Sequence, residues 1–191
     1  MKWCYGNKWG ADAVVVQGRQ AGGHQGGWLY DEAERITTFE LLTQALKLSC
    51  VPLIASGGIA DAKAVRDALM MGADMVAVGT AFLTTTESVI DELWKAKLLS
   101  ACAKDTHLTR LFSGKLARGL VNDYLREFAD IDGVIKHAQI PPYPELNAMT
   151  KELRATAKHL KDPNLMSLWA GTSVDKCRDE SISELIDRLL N

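Results

Sequence analysis

The sequence has little of what several large protein classes depend on. Across 191 residues, 22 basic side chains stand against 24 acidic ones, for a formal net charge of −2. There is no basic excess to hold nucleic acid by its phosphates, so no nucleic-acid partner is expected. No apolar run approaches the ~20 residues that cross a bilayer, and no membrane association is expected. The opening MKWCYGNK contains no apolar stretch of the kind a signal peptide needs. Cys4, Cys50, Cys102 and Cys177 form no C-x-x-C pair and have no partner at zinc-finger spacing. That pattern points to free thiols in a reducing cytoplasm and to no metal site. Cys50, in an apolar stretch, reads as a small buried hydrophobe. There is no P-loop, no G-x-G-x-x-G opening a helix, no H-E-x-x-H and no EF-hand spacing. Internal repeats and low-complexity tracts are missing too.

What is present is ordinary for a globular chain: 47% hydrophobic and 24% charged residues. Three short β-rich runs stand out, Ala13–Gln17, Val51–Ala55 and Met75–Gly79. They are continuously apolar, the signature of parallel strands buried on both faces. Between them lie amphipathic helices over Phe39–Leu48 and Ala62–Met71, the second with Asp61 as N-cap and Gly72 as its stop. The order β-α-β-α-β predicts an α/β fold with a parallel sheet. The strand spacing fits a (β/α)8 barrel, at roughly 31 residues per unit, and equally a doubly wound sheet. Further on, helices are expected over Glu87–Lys104, Ala148–Leu160 and Ile182–Leu190, the last with a Ser181/Glu184 capping box. Asp105–Asn122 reads as loop followed by a helix start, with Asp105-Thr106-His107 as polar loop residues.

Three strand-end segments carry the chemistry. Gln17-Gly18-Arg19-Gln20-Ala21-Gly22-Gly23-His24-Gln25-Gly26-Gly27 follows the first strand, where barrel active sites sit. Its glycines let the backbone approach a flat ligand, Gln17 offers a donor and an acceptor, and His24 can exchange a proton near neutral pH. The same segment also reads as a flexible turn carrying a surface histidine. Ala55-Ser56-Gly57-Gly58-Ile59-Ala60-Asp61 opens a helix and suits a phosphate nest. Gly79-Thr80-Ala81-Phe82 ends the third strand, and two tight turns without a ligand are the alternative for this pair.

Gly10 through His24 resembles the flavin-facing segment of the nitronate monooxygenases, once called 2-nitropropane dioxygenases. Val51–Asp61 and Gly72–Leu83 are similar to that family's two phosphate strands and loops. Phe112–Leu120 and Ser167-Leu168-Trp169-Ala170-Gly171 extend the likeness nearly to the end. The resemblance implies an FMN-dependent TIM-barrel enzyme that oxidises alkyl nitronates with O2 to a carbonyl compound and nitrite, by electron transfer from nitronate to flavin. It implies His24 as the catalytic residue. It implies cofactor contacts from Gln17, Gly22, Gly23, Ser56, Gly57, Gly58, Ala77, Val78, Gly79 and Thr80. Ala77 and Ala81 stand where relatives often carry Gln and Arg.

The matching parts begin at about the sixth barrel strand, so the chain is expected to hold the C-terminal part of a barrel over residues 1–124. Residues 125–191 would form a helical extension packed on it. The residues before Gly10 look like the remnant of a helix. Three strands cannot close a barrel, and an open sheet exposes its edges. A second copy of the chain or an N-terminal half is the partner this implies. A flavin-dependent enoyl-[acyl-carrier-protein] reductase is the nearest alternative, sharing Gly22-Gly23-His24 and the Gly57-Gly58 loop. A catalytically silent fragment is another.

Overall fold

The structure, a computed structural model, describes residues 10–27, 35–128 and 140–191. The expected remnant helix before Gly10, and Cys4 with it, lies outside the described residues. The three apolar runs form β1 (Val14–Gln17), β3 (Leu53–Ser56) and β4 (Met75–Ala77), paired in parallel in the order β1-β3-β4. The crossovers are α1 (Thr38–Leu48) and α2 (Ala62–Met70). Both start at side-chain caps that satisfy otherwise orphaned amides. Thr37 and Glu40 close a capping box on α1, and the Asp61 carboxylate accepts from the Ala64 amide at 2.9 Å on α2. Gly72, at φ 108°, takes the left-handed turn that ends α2.

Because side chains alternate across a strand, the sheet has two unlike faces. Val16, Leu53 and Ala55 are buried against Leu42, Val65 and Ala68 of the helices. The other face carries the cross-strand row Val15–Ile54–Met75, with Val15 57% and Met75 49% exposed. This corrects the expectation of strands buried on both faces, since no described element covers that row. One residue pair further along the same face stands the row Gln17–Ser56–Ala77.

Past β4 the chain departs from expectation. α3 (Thr80–Leu83) is a single turn, and the predicted Glu87–Lys104 helix is shorter, α4 (Glu92–Ser100), capped by Asp91. The segment read as loop forms an antiparallel sheet instead. Its strands are β5 (Thr106–Thr109) and β6 (Ala117–Leu120), joined on the far edge of β6 by the short β2 (Gly23–His24). α5 (Asp123–Phe128) follows. The single helix expected over Ala148–Leu160 is two, α6 (Glu145–Met149) and α7 (Lys151–His159).

α8 (Ile182–Leu190) has the expected Ser181/Glu184 capping box. It returns to the parallel sheet, burying Leu185 and Leu189 in the same cluster as Val16 and Ala55. Arg188 fixes it there, paired with Glu180 and donating to the Ala60 carbonyl at 3.1 Å. A second cluster gathers Leu98, Leu120, Leu168 and Ala170 under the antiparallel sheet. Cys102 and Cys177 are free. Cys50 corrects two expectations: it is exposed, in the turn between α1 and β3, and it is disulfide-bonded rather than free.

Candidate active site

The ends of β1, β3 and β4 converge on one cleft of about 240 Å³. Its walls include Gln17, Gly22, Gly23, Ser56, Gly57, Gly58, Ala77, Gly79 and Thr80. Val78 is not among them. It follows the same alternation that turns Ala77 to the cleft, and it packs on the core instead. The cleft is smaller than the ~300–1,000 Å³ of typical small-ligand pockets, so these walls alone have room for only part of a cofactor-sized molecule.

The glycine loop after β3 is shaped from behind. Thr38, 1% exposed, donates its hydroxyl to the Gly57 carbonyl (2.7 Å), and its amide donates to Gln20 Oε1 (2.9 Å). Gly57 and Gly58 both take positive φ, 106° and 73°. A Cβ on Gly57 would lie 2.8 Å from the Ala21 amide nitrogen. Among the described residues, the amides of Gly57, Gly58, Gly79 and Thr80 have no hydrogen-bond acceptor. Four free N–H groups at two neighbouring strand ends suit a phosphate. The loop stands apart from the amino end of α2, which the Asp61 carboxylate already caps.

The glycine loop after β1 is braced by Gln17. Its Nε2 donates to the His24 carbonyl (3.2 Å), and its Oε1 accepts from the Gly26 amide. Gln17 thus organises the loop, leaving one N–H and one lone pair of its amide. His24 is placed by the antiparallel sheet, opposite Ala117. Its Nε2 lies 2.8 Å from Ser113 Oγ, and its ring sits 5.9 Å from Tyr143 and 5.8 Å from Trp169. Burial of the ring first, then the positive charges of Lys115 and Arg154, hold its pKa below 6.5. The imidazole is therefore neutral at physiological pH. His24 itself is not a cleft wall, but Gly23 and Trp169 beside it are.

The sequence did not point individually to Ser113, Trp94 or Ser173. Trp94 lines the cleft with a buried indole N–H that has no acceptor among the described residues. The segment Trp169-Ala170-Gly171 closes the cleft from the far end of the chain. The Thr172 amide donates to the Gln20 carbonyl (3.0 Å), the Gly171 amide to Thr80 Oγ1 (3.0 Å) and Ser173 Oγ to the Gly58 carbonyl (2.8 Å). Among the described residues no cluster of His, Cys, Asp and Glu could hold a metal, and no helix is long and apolar enough to cross a membrane.

A probable nitronate monooxygenase of Bacillus subtilis (strain 168) is 40% identical over 182 residues, 94% of this chain and 51% of its own length. Among solved structures, nitroalkane oxidase from Streptomyces ansochromogenes superposes with a TM-score of 0.84 at 36% identity, over 96% of this chain and 52% of that one. FabK from Thermotoga maritima follows at TM-score 0.76 and 27% identity, over 96% of this chain and 55% of that one. The chain spans about half the length of the curated relatives it matches. The fold is α/β of the TIM-barrel type, represented here by three parallel strands. The family model for nitronate monooxygenase matches residues 5–191, and the chain belongs to that family.

Proposed function

We propose that this chain forms the cofactor-phosphate and histidine side of an FMN-dependent nitronate monooxygenase, converting alkyl nitronates and O2 to a carbonyl compound and nitrite. The observation that carries this reading is the cleft itself. It gathers nine of the ten residues expected at the cofactor, and two of its walls, Gly23 and Trp169, adjoin His24. The residues present fit FMN: the Gly57-Gly58 and Gly79-Thr80 turns offer four amides without acceptors among the described residues, and a Cβ on Gly79 would enter open space. Gly57, Gly58, Gly79 and Thr80 would hold the phosphate, with Ser56 and Ala77 beside it. Gln17, Gly22 and Gly23 would flank the ring system. When bound, FMN supplies the electron acceptor.

The protein's own part is positioning and charge. A nitronate is an anion, and Lys115 and Arg154 near His24 favour one there. A neutral imidazole can take up a proton or donate a hydrogen bond to the nitro group. Trp169 and Tyr143 flank the ring and restrict water around it.

The exposed Val15–Ile54–Met75 row lies on the same sheet face as the cleft wall Gln17–Ser56–Ala77. This half-built wall supports a working enzyme in which a polypeptide supplying the remaining strands covers that row. The test is to purify the chain alone and together with the N-terminal half of the Bacillus relative. The visible spectrum and oxygen uptake with propionate 3-nitronate are then recorded. Flavin absorption and nitronate-dependent uptake in the combined sample are expected; a colourless, inactive combined sample refutes the proposal. The likeness to FabK supports a second reading, a flavin-dependent enoyl reductase. NADH consumption with a crotonyl thioester, in place of nitronate oxidation, would establish that one.

A further inference from the structure

Ser113 lies 89 residues from His24 in sequence and is 2% exposed, yet its hydroxyl is the one hydrogen-bond partner of the imidazole among the described residues. That hydroxyl has three neighbours. The Lys115 amide donates to it at 3.3 Å, it reaches the Lys115 carbonyl at 3.1 Å, and His24 Nε2 stands at 2.8 Å. A serine hydroxyl has one proton and two lone pairs. The Lys115 carbonyl has no other donor among the described residues. With the Ser113 proton directed to that carbonyl, one lone pair takes the Lys115 N–H and the other takes a proton from Nε2. All three groups are then satisfied at once. The opposite arrangement, Ser113 donating to Nε2, leaves the carbonyl without its donor.

We infer that Ser113 is a positioning residue that holds His24 as its Nε2–H tautomer and leaves Nδ1 as the bare nitrogen available to substrate. The nitrogen that a histidine offers is set by the hydrogen bond made at its other one. Here the second partner is a buried hydroxyl on the turn between β5 and β6, anchored through both backbone groups of Lys115. Lys115 also places its cationic side chain near the ring, so the turn that selects the tautomer also brings a positive charge. The catalytic consequence rests on the reading of His24 as the residue facing substrate; the tautomer assignment does not.

The test is ¹⁵N-detected NMR of the ring nitrogens in the chain labelled at histidine, with Ser113→Ala and Ser113→Thr beside the wild type. Wild type and Ser113→Thr are expected to show protonated Nε2 and bare Nδ1, and Ser113→Ala a mixture of the two tautomers. In flavin-loaded enzyme Ser113→Ala is expected to lower kcat by ~10-fold or more, as loss of a partner that orients a histidine does, with KM little changed and kcat restored by Ser113→Thr. A wild-type ring protonated at Nδ1 overturns the inference without any variant. So does a folded Ser113→Ala protein that keeps Nε2–H alone. Unchanged turnover in His24→Ala at full flavin load would overturn the catalytic consequence, and the NMR result identifies that failure separately.

Discussion

The amide of Gly171 donates to the hydroxyl of Thr80 at 3.0 Å, joining residues 91 apart in sequence across the mouth of the cleft. The contact ties the tail of the chain to the end of β4, and beside it the backbones at Gly22 and Gly171 pass with no side chain between them. A Cβ on Gly22 would stand 2.6 Å from the Gly171 amide nitrogen, and one on Gly171 would stand 2.8 Å from the Gln20 carbonyl.

Gly22→Ala should therefore force the two segments apart. Overpacking of this kind costs ~1–3 kcal/mol. The expected result is a lower melting temperature together with a reduced flavin-to-protein ratio in the reconstituted enzyme. Gly10→Ala, with φ at 68° and no atom within 4 Å of the added methyl, is the contrast: it carries backbone strain without a clash, whereas Gly22→Ala carries the clash without that strain. An unchanged flavin ratio in Gly22→Ala would contradict the close passage at this point.

Arg188 and Glu180 form an ion pair whose side chains are only 18% and 13% exposed. Through the Ala60 carbonyl the pair fastens α8 behind the Gly57-Gly58 loop. Glu180→Gln leaves the guanidinium without its counter-charge, and breaking a largely buried pair from one side costs ~3 kcal/mol. Replacing both residues by apolar ones of similar size should be milder. Chemical denaturation of the single and double variants checks the order.

The depressed pKa of His24 has a definite sign. Burial and the charges of Lys115 and Arg154 disfavour the cation, so the folded chain binds a proton there less readily than the unfolded one. The stabilisation from a neutral ring is complete above 6.5, its ordinary value, and is lost as pH falls through the lower folded value. If the neutral ring is the working form, kcat/KM with preformed nitronate stays flat from pH 8 to pH 6.5 and declines below that. A decline that begins above pH 7 would contradict the assignment.

Burial pushes the Cys177 thiol up to about 11. Only the thiolate is a good nucleophile, so Cys177 should resist iodoacetamide at pH 8 in the folded chain and react once it is unfolded. Cys102, free and partly exposed, should be labelled first. Peptide mapping after timed alkylation reads the order.

Much of the parallel unit was legible in the sequence because its signals are local. The apolar runs at Val14, Leu53 and Met75, the Asp61 cap, the Gly72 stop and the Ser181/Glu184 box each act within a few residues. The same holds for the strand-end glycines that line the cleft. The antiparallel sheet was not legible. Thr-His-Leu-Thr and Ala-Arg-Gly-Leu carry no alternating apolar pattern, and β6 is also held by partners distant in sequence, β2 among them. Arg118, for one, donates to the Arg19 carbonyl at 2.8 Å. The Ser113–His24 contact and the return of Trp169 and Gly171 to the cleft are likewise products of tertiary packing, which spacing along the chain does not encode. Cys50 misled because an apolar neighbourhood in sequence surrounds a residue that sits in an outward-facing turn.

Val15, Ile54 and Met75 form a ladder with one rung in water at each end, on a sheet whose outer strands are unpaired among the described residues. A surface like that is sticky toward any extended backbone it meets, and sulfate or other excluded salts sharpen the tendency. On the reading proposed above, this face and these edges are where the polypeptide alone would self-associate, and a partner that supplies further strands would keep it dispersed by covering them.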